Sequence, residues 1–380
     1  RNNRLWQREI MDGIHVIRVW SYITANEGFL KRILDYSSFM VSAILASLFV
    51  AKPDVIIGTS PHFFTACGAF VASRFKRAPF VFELRDLWPE SIKAVGAMGD
   101  SMVIRMLERI EMFLYRKAGR IISVTHSFKR ILVQRGIPAN KISVTMNGVD
   151  SSRFRPVAKD AELEEKYGFK DKFVVGYVGT HGMAHALETI LTAANRLSTT
   201  DGNGYRFVLL GDGARKGAVK TMAAAVGLQN VVFIDSVPKA EVTRYWSLLD
   251  AAVIHLRKTP LFETVIPSKL FECMGMGIPV LHGVSGESAE IVEKSGIGLT
   301  FEPENPDDLI RNLVNMKRNS AMYHGFQTGC VNAAKQFDRK LLARKMLHCL
   351  TSVTMAGDIK RIPNHRSGSA DVQFGTSKIT

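Results

Sequence analysis

What most narrows the fold of this chain is an alternation that runs along its length. Short runs rich in valine, isoleucine and leucine are each followed by a longer stretch with helical spacing. In the first half the strand candidates are Ile14–Val19, Asp54–Gly58, Pro79–Glu83, Arg120–Val124 and Lys141–Met146, with helical patterns over 28–50, 62–76, 101–118 and 126–135. In the second half they are Phe173–Val178, Tyr205–Leu210, Val231–Asp235, Ala251–Leu256, Pro279–His282 and Leu299–Phe301. Helical patterns over 184–198, 214–227, 239–249, 268–276, 286–295 and 306–318 fill the gaps. Runs that are apolar throughout are buried on both faces, which is the condition of a parallel strand between helix layers. Two such series predict two doubly wound α/β sheets. A length of 380 residues suits two domains at ~150 residues each.

Asn147-Gly148-Val149-Asp150 is a turn signal that closes the first series. The charged stretch Ser151–Phe169 then reads as a linker; the other reading is a surface loop inside one large domain. The expected domains are 1–150 and 151–353, and the polar stretch from about Thr354 to Thr380 is expected to be disordered. Open α/β sheets bind ligands beyond their C-terminal strand ends. With two sheets facing each other, the cleft between them is the expected site.

Apolar residues at 46% and charged residues at 22% describe a globular chain. The net charge of +15 calls for an anionic partner: nucleic acid, a phosphorylated substrate or a membrane face. Cys67, Cys273, Cys330 and Cys349 are scattered, without the spacing of a zinc site or a disulfide framework, which points to a reducing cytoplasm. No stretch resembles a signal peptide. The longest strongly apolar run, Phe39 to Ala51, is shorter than the ~18 residues a spanning helix needs. Phe29–Val50 does combine Lys31 and Arg32 with Leu30, Ile33, Leu34, Phe39, Ile44, Leu45 and Phe49, and Arg74, Lys76 and Arg77 form a second basic cluster. Such a helix lies on an anionic bilayer surface or, over 39–50, packs as a buried flank of the sheet.

The most informative segment is Arg257 to Glu272, which follows a strand and opens a helix. Pro267 suits a first helical turn. A helix N-terminus offers free N–H donors and partial positive charge to a phosphate, and Lys269 adds a full charge. Glu272 follows on the same face, about 4.5 Å further along the axis. That offset matches a phosphate and the neighbouring ribose diol, whose hydroxyls a carboxylate accepts. The plainer alternative is a surface Lys–Glu pair.

Pro267-Ser268-Lys269-Leu270-Phe271-Glu272 with Met274-Gly275-Met276-Gly277-Ile278-Pro279-Val280 resembles the donor signature of family 4 glycosyltransferases. In register with it are Asn147-Gly148-Val149-Asp150 with Phe154, Gly176-Tyr177-Val178-Gly179-Thr180, Leu210-Gly211-Asp212-Gly213 and Phe337-Asp338-Arg339. The segment Glu83-Leu84-Arg85-Asp86-Leu87-Trp88-Pro89-Glu90-Ser91 is similar to a subgroup that builds bacterial O-antigen and capsule, including L-fucosamine (N-acetyl-fucosamine) transferases. The resemblance covers roughly residues 10–353.

It implies a GT-B fold, two Rossmann-like domains across a cleft. It also implies a UDP-linked, less often GDP-linked, sugar donor, no metal or other cofactor, and usually retention at the anomeric carbon. Glu272 is then the ribose ligand. Amides around Thr264, Val265 and Ile266, with Lys269, Arg257 and Lys258 as candidate cations, neutralise the diphosphate. Gly179, Thr180 and His181 belong to the donor loop, and the backbone at Ser236 and Val237 meets the uracil edge. Family members act on polyprenyl-diphosphate-linked glycans, which implies such an acceptor and a peripheral position on the cytoplasmic face of the inner membrane.

The chain departs from the pattern in three places. Thr264, with Glu263 beside it, stands where many relatives carry a second Glu, eight positions before Glu272. His181-Gly182-Met183-Ala184-His185 stands where many place Arg and Lys. The opening strand and glycine-rich loop of the fold are not found before Arg1.

On the N-terminal side, Asp86 and Arg85 end a strand and are expected at the cleft. Asp86 orients an acceptor hydroxyl or the donor sugar, or else caps its own loop. Trp88 and Pro89 shape an acceptor pocket or pack that loop. His126 follows a strand closely and is an acid–base or phosphate candidate, against a capping role. His181 and His185, at a turn and helix start, are candidates for ligand contact. The leading expectation is an enzyme moving an amino- or deoxy-sugar from UDP to a lipid-linked saccharide, with Asp86, Lys269 and His126 at its centre. A UDP-sugar 2-epimerase, a basic nucleic-acid-binding protein and an inactive fragment are the alternatives. Against nucleic acid, no RRM, KH or zinc-finger pattern appears.

Overall fold

The computed structural model describes residues 4–23, 29–91, 101–200 and 204–359. It opens on a hairpin in which β1 (Trp6–Met11) and β2 (Ile14–Val19) pair antiparallel. The expected strand Ile14–Val19 is therefore present but stands outside the first parallel sheet. The cause is local: Asp12 and Gly13 take left-handed φ of 51° and 80°, as a two-residue type I′ turn requires, and that turn suits the strands' own twist.

There follow α1 (Phe29–Leu48), β3 (Ile56–Thr59), α2 (Phe63–Lys76), β4 (Phe80–Leu84), α3 (Met102–Lys117), β5 (Arg120–Ser123), α4 (His126–Gln134) and β6 (Ile142–Val144). Strands β3 to β6 form a parallel sheet in that order. Val81, Phe82, Ile121 and Ile122 are buried, so adjacent positions face helix layers on both sides. One side of α1 packs on α2, where Gly68 admits it: a Cβ there would meet Met40 Cγ at 3.2 Å. Its other side leaves Leu34, Phe39, Leu45 and Leu48 exposed.

The stretch read as a linker contains α5 (Ala161–Tyr167), capped by the Asp160 carboxylate and closed by left-handed Gly168. The second lobe continues with β7 (Phe173–Val178), α6 (Glu188–Thr200), β8 (Tyr205–Leu210), α7 (Lys216–Ala225), β9 (Val231–Ile234), α8 (Val242–Trp246) and β10 (Ala251–His255). It is completed by α9 (Lys269–Met276), β11 (Val280–Gly283), α10 (Glu287–Ser295), β12 (Gly298–Thr300), α11 (Pro306–Arg318), α12 (Ser320–Gln336) and α13 (Arg339–Ile359). Its parallel sheet has the order β12-β11-β10-β7-β8-β9. The order reverses between β7 and β10, which makes their C-terminal ends the switch point where open α/β sheets bind ligands.

The last helix crosses back. Val353 of α13 is buried against Val81 and Ile122 of the first sheet, with Met346 and Leu350 alongside. Residues 354–359, read from the sequence as the start of a disordered tail, belong to this helix, and 360–380 lie outside the described residues.

Candidate active site

Lys269 is the first residue of α9, one position past Ser268, and the helix begins two residues later than Pro267. Its ammonium donates to Tyr177 Oη at 2.8 Å and lies 4.2 Å from that ring's centroid. The side chain reaches this place over Gly179, whose φ is +142° and where a Cβ would meet Lys269 Cε at 2.1 Å. The Tyr177 hydroxyl donates in turn to Thr180 O at 2.7 Å, leaving its lone pairs to the lysine. A cation is thus fixed at the C-terminal end of β7, at the switch point. Burial lowers the Lys269 pKa to about 8, opposed by Glu272.

Glu272 is half-buried. Burial pushes its carboxyl up, while Lys269, Arg339 and Arg153 pull it down. The two are not a solvated surface pair, because the lysine is already engaged by the β7 loop. Arg153 was not anticipated from the sequence, and Arg339 only as part of the motif Phe337-Asp338-Arg339; nor was Lys216, whose ammonium binds Gly211 O at 2.7 Å and the carboxylate of Asp235.

His181 is fully buried, and neither ring nitrogen has a hydrogen-bond partner. Burial, with Lys216 and Lys269 nearby, lowers its pKa to about 4. His185 lies 5.7 Å from the Tyr177 ring and is likewise lowered to about 4, chiefly by burial. Both are neutral near pH 7, so this loop supplies imidazole hydrogen-bonding groups and the charge comes from Lys269. Thr180 and Ser236 are exposed at strand ends, and Val237 packs partly on the lobe's core.

Three groups expected at the diphosphate have protein partners in this structure. Lys258 is held by Glu302 at 2.7 Å, and its amide donates to Glu304 Oε2 at 2.8 Å. Arg257 instead bridges two loops, its Nε donating to Met183 O at 2.7 Å. The amides of Thr264 and Val265 donate to Leu261 O at 3.0 Å and Phe262 O at 3.2 Å, around the turn Phe262–Thr264. Ile266 is buried in the core.

In the first lobe, the Ser60 hydroxyl pins the loop after β4, accepting from Arg85 N at 2.9 Å and Asp86 N at 3.1 Å and donating to Asp86 O at 3.0 Å. Burial raises the Asp86 pKa to about 6, against hydrogen bonds from Ser91 and the Leu87 amide. Trp88 stacks on Phe63 at 4.7 Å between centroids. Leu261 and Val265 of the second lobe pack on the same cluster, so the loop leading into α9 touches the lobe that carries Asp86. The His126 ring is exposed; its main-chain N–H crosses the cleft to Glu287 Oε1 at 2.8 Å. Glu287 was missed by the sequence reading.

Residues 159–335 match the family described as glycosyl transferases group 1, and residues 1–148 match the glycosyl transferase 4-like domain. The chain is 25% identical over 327 residues to the colanic acid biosynthesis glycosyl transferase WcaI of Escherichia coli, covering 82% of this chain and 79% of that protein. It is 24% identical over 282 residues to the glycosyltransferase WbjE of Pseudomonas aeruginosa, covering 73% and 69%. Its fold matches the crystal structure of Anabaena HepE in complex with UDP and glucose, with a TM-score of 0.71, 18% identity and coverage of 88% and 86%. With a match on either side of the cleft, this chain belongs to the group 1, family 4-like glycosyltransferases and is an enzyme of the GT-B fold.

Proposed function

We propose that the enzyme transfers an amino- or deoxy-sugar from a UDP-sugar to a polyprenyl-diphosphate-linked saccharide in the synthesis of a bacterial surface polysaccharide. The observation that carries this reading is the ammonium of Lys269 fixed on Tyr177 and over Gly179, with Glu272 one turn behind it. A diphosphate replaces the tyrosine hydroxyl as the partner of that charge, and the ribose diol falls to Glu272. The colanic acid role in the name of the relative WcaI supports the product class, and the UDP in the HepE structure supports the nucleotide.

In the transfer, the acceptor oxygen bonds to the anomeric carbon as the bond from that carbon to the UDP oxygen breaks. The electron pair leaves with UDP, where Lys269 meets the developing charge. The acceptor proton passes to Asp86, whose pKa of about 6 leaves it ionised yet basic near neutrality. The half-exposed flank of α1, with Leu34, Phe39 and Leu45, together with the net charge of +15, suits contact with an anionic bilayer on the acceptor side. No helix among the described residues is long and apolar enough to cross a membrane.

The test is a screen of UDP- and GDP-sugars with a polyprenyl-diphosphate-linked acceptor and anionic vesicles, read by mass spectrometry. The expected product is the acceptor extended by one sugar, formed from a UDP donor. An epimerised donor released without need of an acceptor would contradict the reading.

A further inference from the structure

A buried carboxylate reaches from the second lobe to the first. Glu287 opens α10 and is 7% exposed. Its Oε1 accepts from His126 N at 2.8 Å and its Oε2 from Ser127 N at 2.6 Å, both in the first turn of α4 in the opposite lobe. Thr125 caps the third free amide of that turn, Phe128 N, at 3.0 Å. Of these three amides, one is satisfied from its own lobe and two from across the cleft. A carboxylate on two main-chain donors makes short, charge-assisted bonds, and both helix N-termini that meet here favour its charge.

The same turn also touches the donor loop. Gly286, just before Glu287, has φ of +78°, and a Cβ there would meet Glu263 O at 2.1 Å, so the turn presses directly on the backbone leading to α9. From that segment Leu261 and Val265 pack on the core of the first lobe.

We propose that Glu287 is a positioning residue for transfer: its carboxylate clasps the first turn of α4 and so sets how the acceptor lobe, with Asp86, faces the donor loop and Lys269. The inference rests on the glycosyltransferase reading for its catalytic consequence only; the clasp itself is read without turnover.

The test compares the full chain with Glu287→Gln and Glu287→Ala in three measurements. Hydrogen exchange is followed at the His126 and Ser127 amides, UDP binding is measured by calorimetry, and initial rates are taken with the best donor and acceptor. The expected result is exchange at those two amides faster by about tenfold or more, the scale of losing one charge-assisted bond. Amides in the rest of α4 and in α9 should keep their protection. UDP affinity should stay within about twofold while kcat/KM for the acceptor falls about tenfold. Unchanged exchange at His126 and Ser127 would overturn the clasp. A loss of UDP affinity as large as the loss of turnover would overturn the positioning role, since that is the mark of a damaged donor lobe. If Glu287→Ala does not fold, Glu287→Gln, which keeps the shape but loses the charge, decides. Failure of every donor with the wild-type chain would remove the proposed function while leaving the exchange result readable.

Discussion

Lys269 holds a fixed charge at the end of β7, and its setting explains how. The ammonium needs an acceptor and a gap, supplied by Tyr177 and Gly179. Replacing Lys269 with alanine is expected to lower kcat about a hundredfold, the usual cost of removing one transition-state donor; a rate within twofold would take it out of the mechanism. Gly179→Ala is expected to cost nearly as much, because the new methyl displaces the lysine without touching its charge. The lysine also sets a pH limit. With its pKa at about 8, the ammonium loses its proton as pH rises through that value. Diphosphate binding favours the protonated form, so UDP affinity is expected to weaken above pH 8, and Lys269→Met should flatten that slope. The sequence shows Lys269 and Glu272 on one helical face because their spacing is local. It does not show Tyr177, 92 positions away, or the clasp of Glu287 on an amide 160 positions away. Those contacts exist only once the two sheets are built.

Most elements were legible because each carries its own pattern. Phe173–Val178 carries no charged or polar side chain apart from Tyr177, Tyr205–Leu210 is broken by Arg206 alone, and both form the strands expected of them. The first hairpin was misread for a definite reason: Ile14–Val19 looks like a buried strand, whereas the turn signal Asp12-Gly13 two residues earlier asks for an antiparallel partner. Helix α5 escaped notice because it is short and polar, and its signs are the Asp160 cap and closing Gly168. The second lobe also holds histidines whose burial no spacing rule shows. His282 is lowered to about 3, and His255, His185 and His181 to about 4, burial being the leading cause in each. Their folded values lie below the unfolded value of 6.5, so between about 4 and 6.5 the unfolded chain binds more protons. Stability is therefore full above pH 6.5 and falls as pH drops through that window. Calorimetric melting from pH 7.5 to 5 should show a falling Tm, lessened in His282→Leu; a Tm that rises on acidification would contradict this.

At the scale of the molecule, the contacts that bind the lobes to each other include α13 lying on the first sheet, Leu261 and Val265 on the first lobe's core, and Glu287 on α4. Val353→Asp places a charge against Val81 and Ile122 and is expected to destabilise the first lobe by ~2–4 kcal/mol, read as a lower denaturant midpoint. The overall architecture followed from strand and helix periodicity, and the family from motifs in register. The return of α13 did not, because nothing in its own pattern says which sheet it covers. In the proposed donor site Glu272 grips the nucleotide's ribose from one turn behind the phosphate cation. The direct test is calorimetric titration of UDP into the wild type, Glu272→Ala and Glu263→Ala. The expected result is a dissociation constant raised about tenfold or more by Glu272→Ala and changed less than about twofold by Glu263→Ala, whose carboxylate is exposed. Equal affinities in all three would contradict the account.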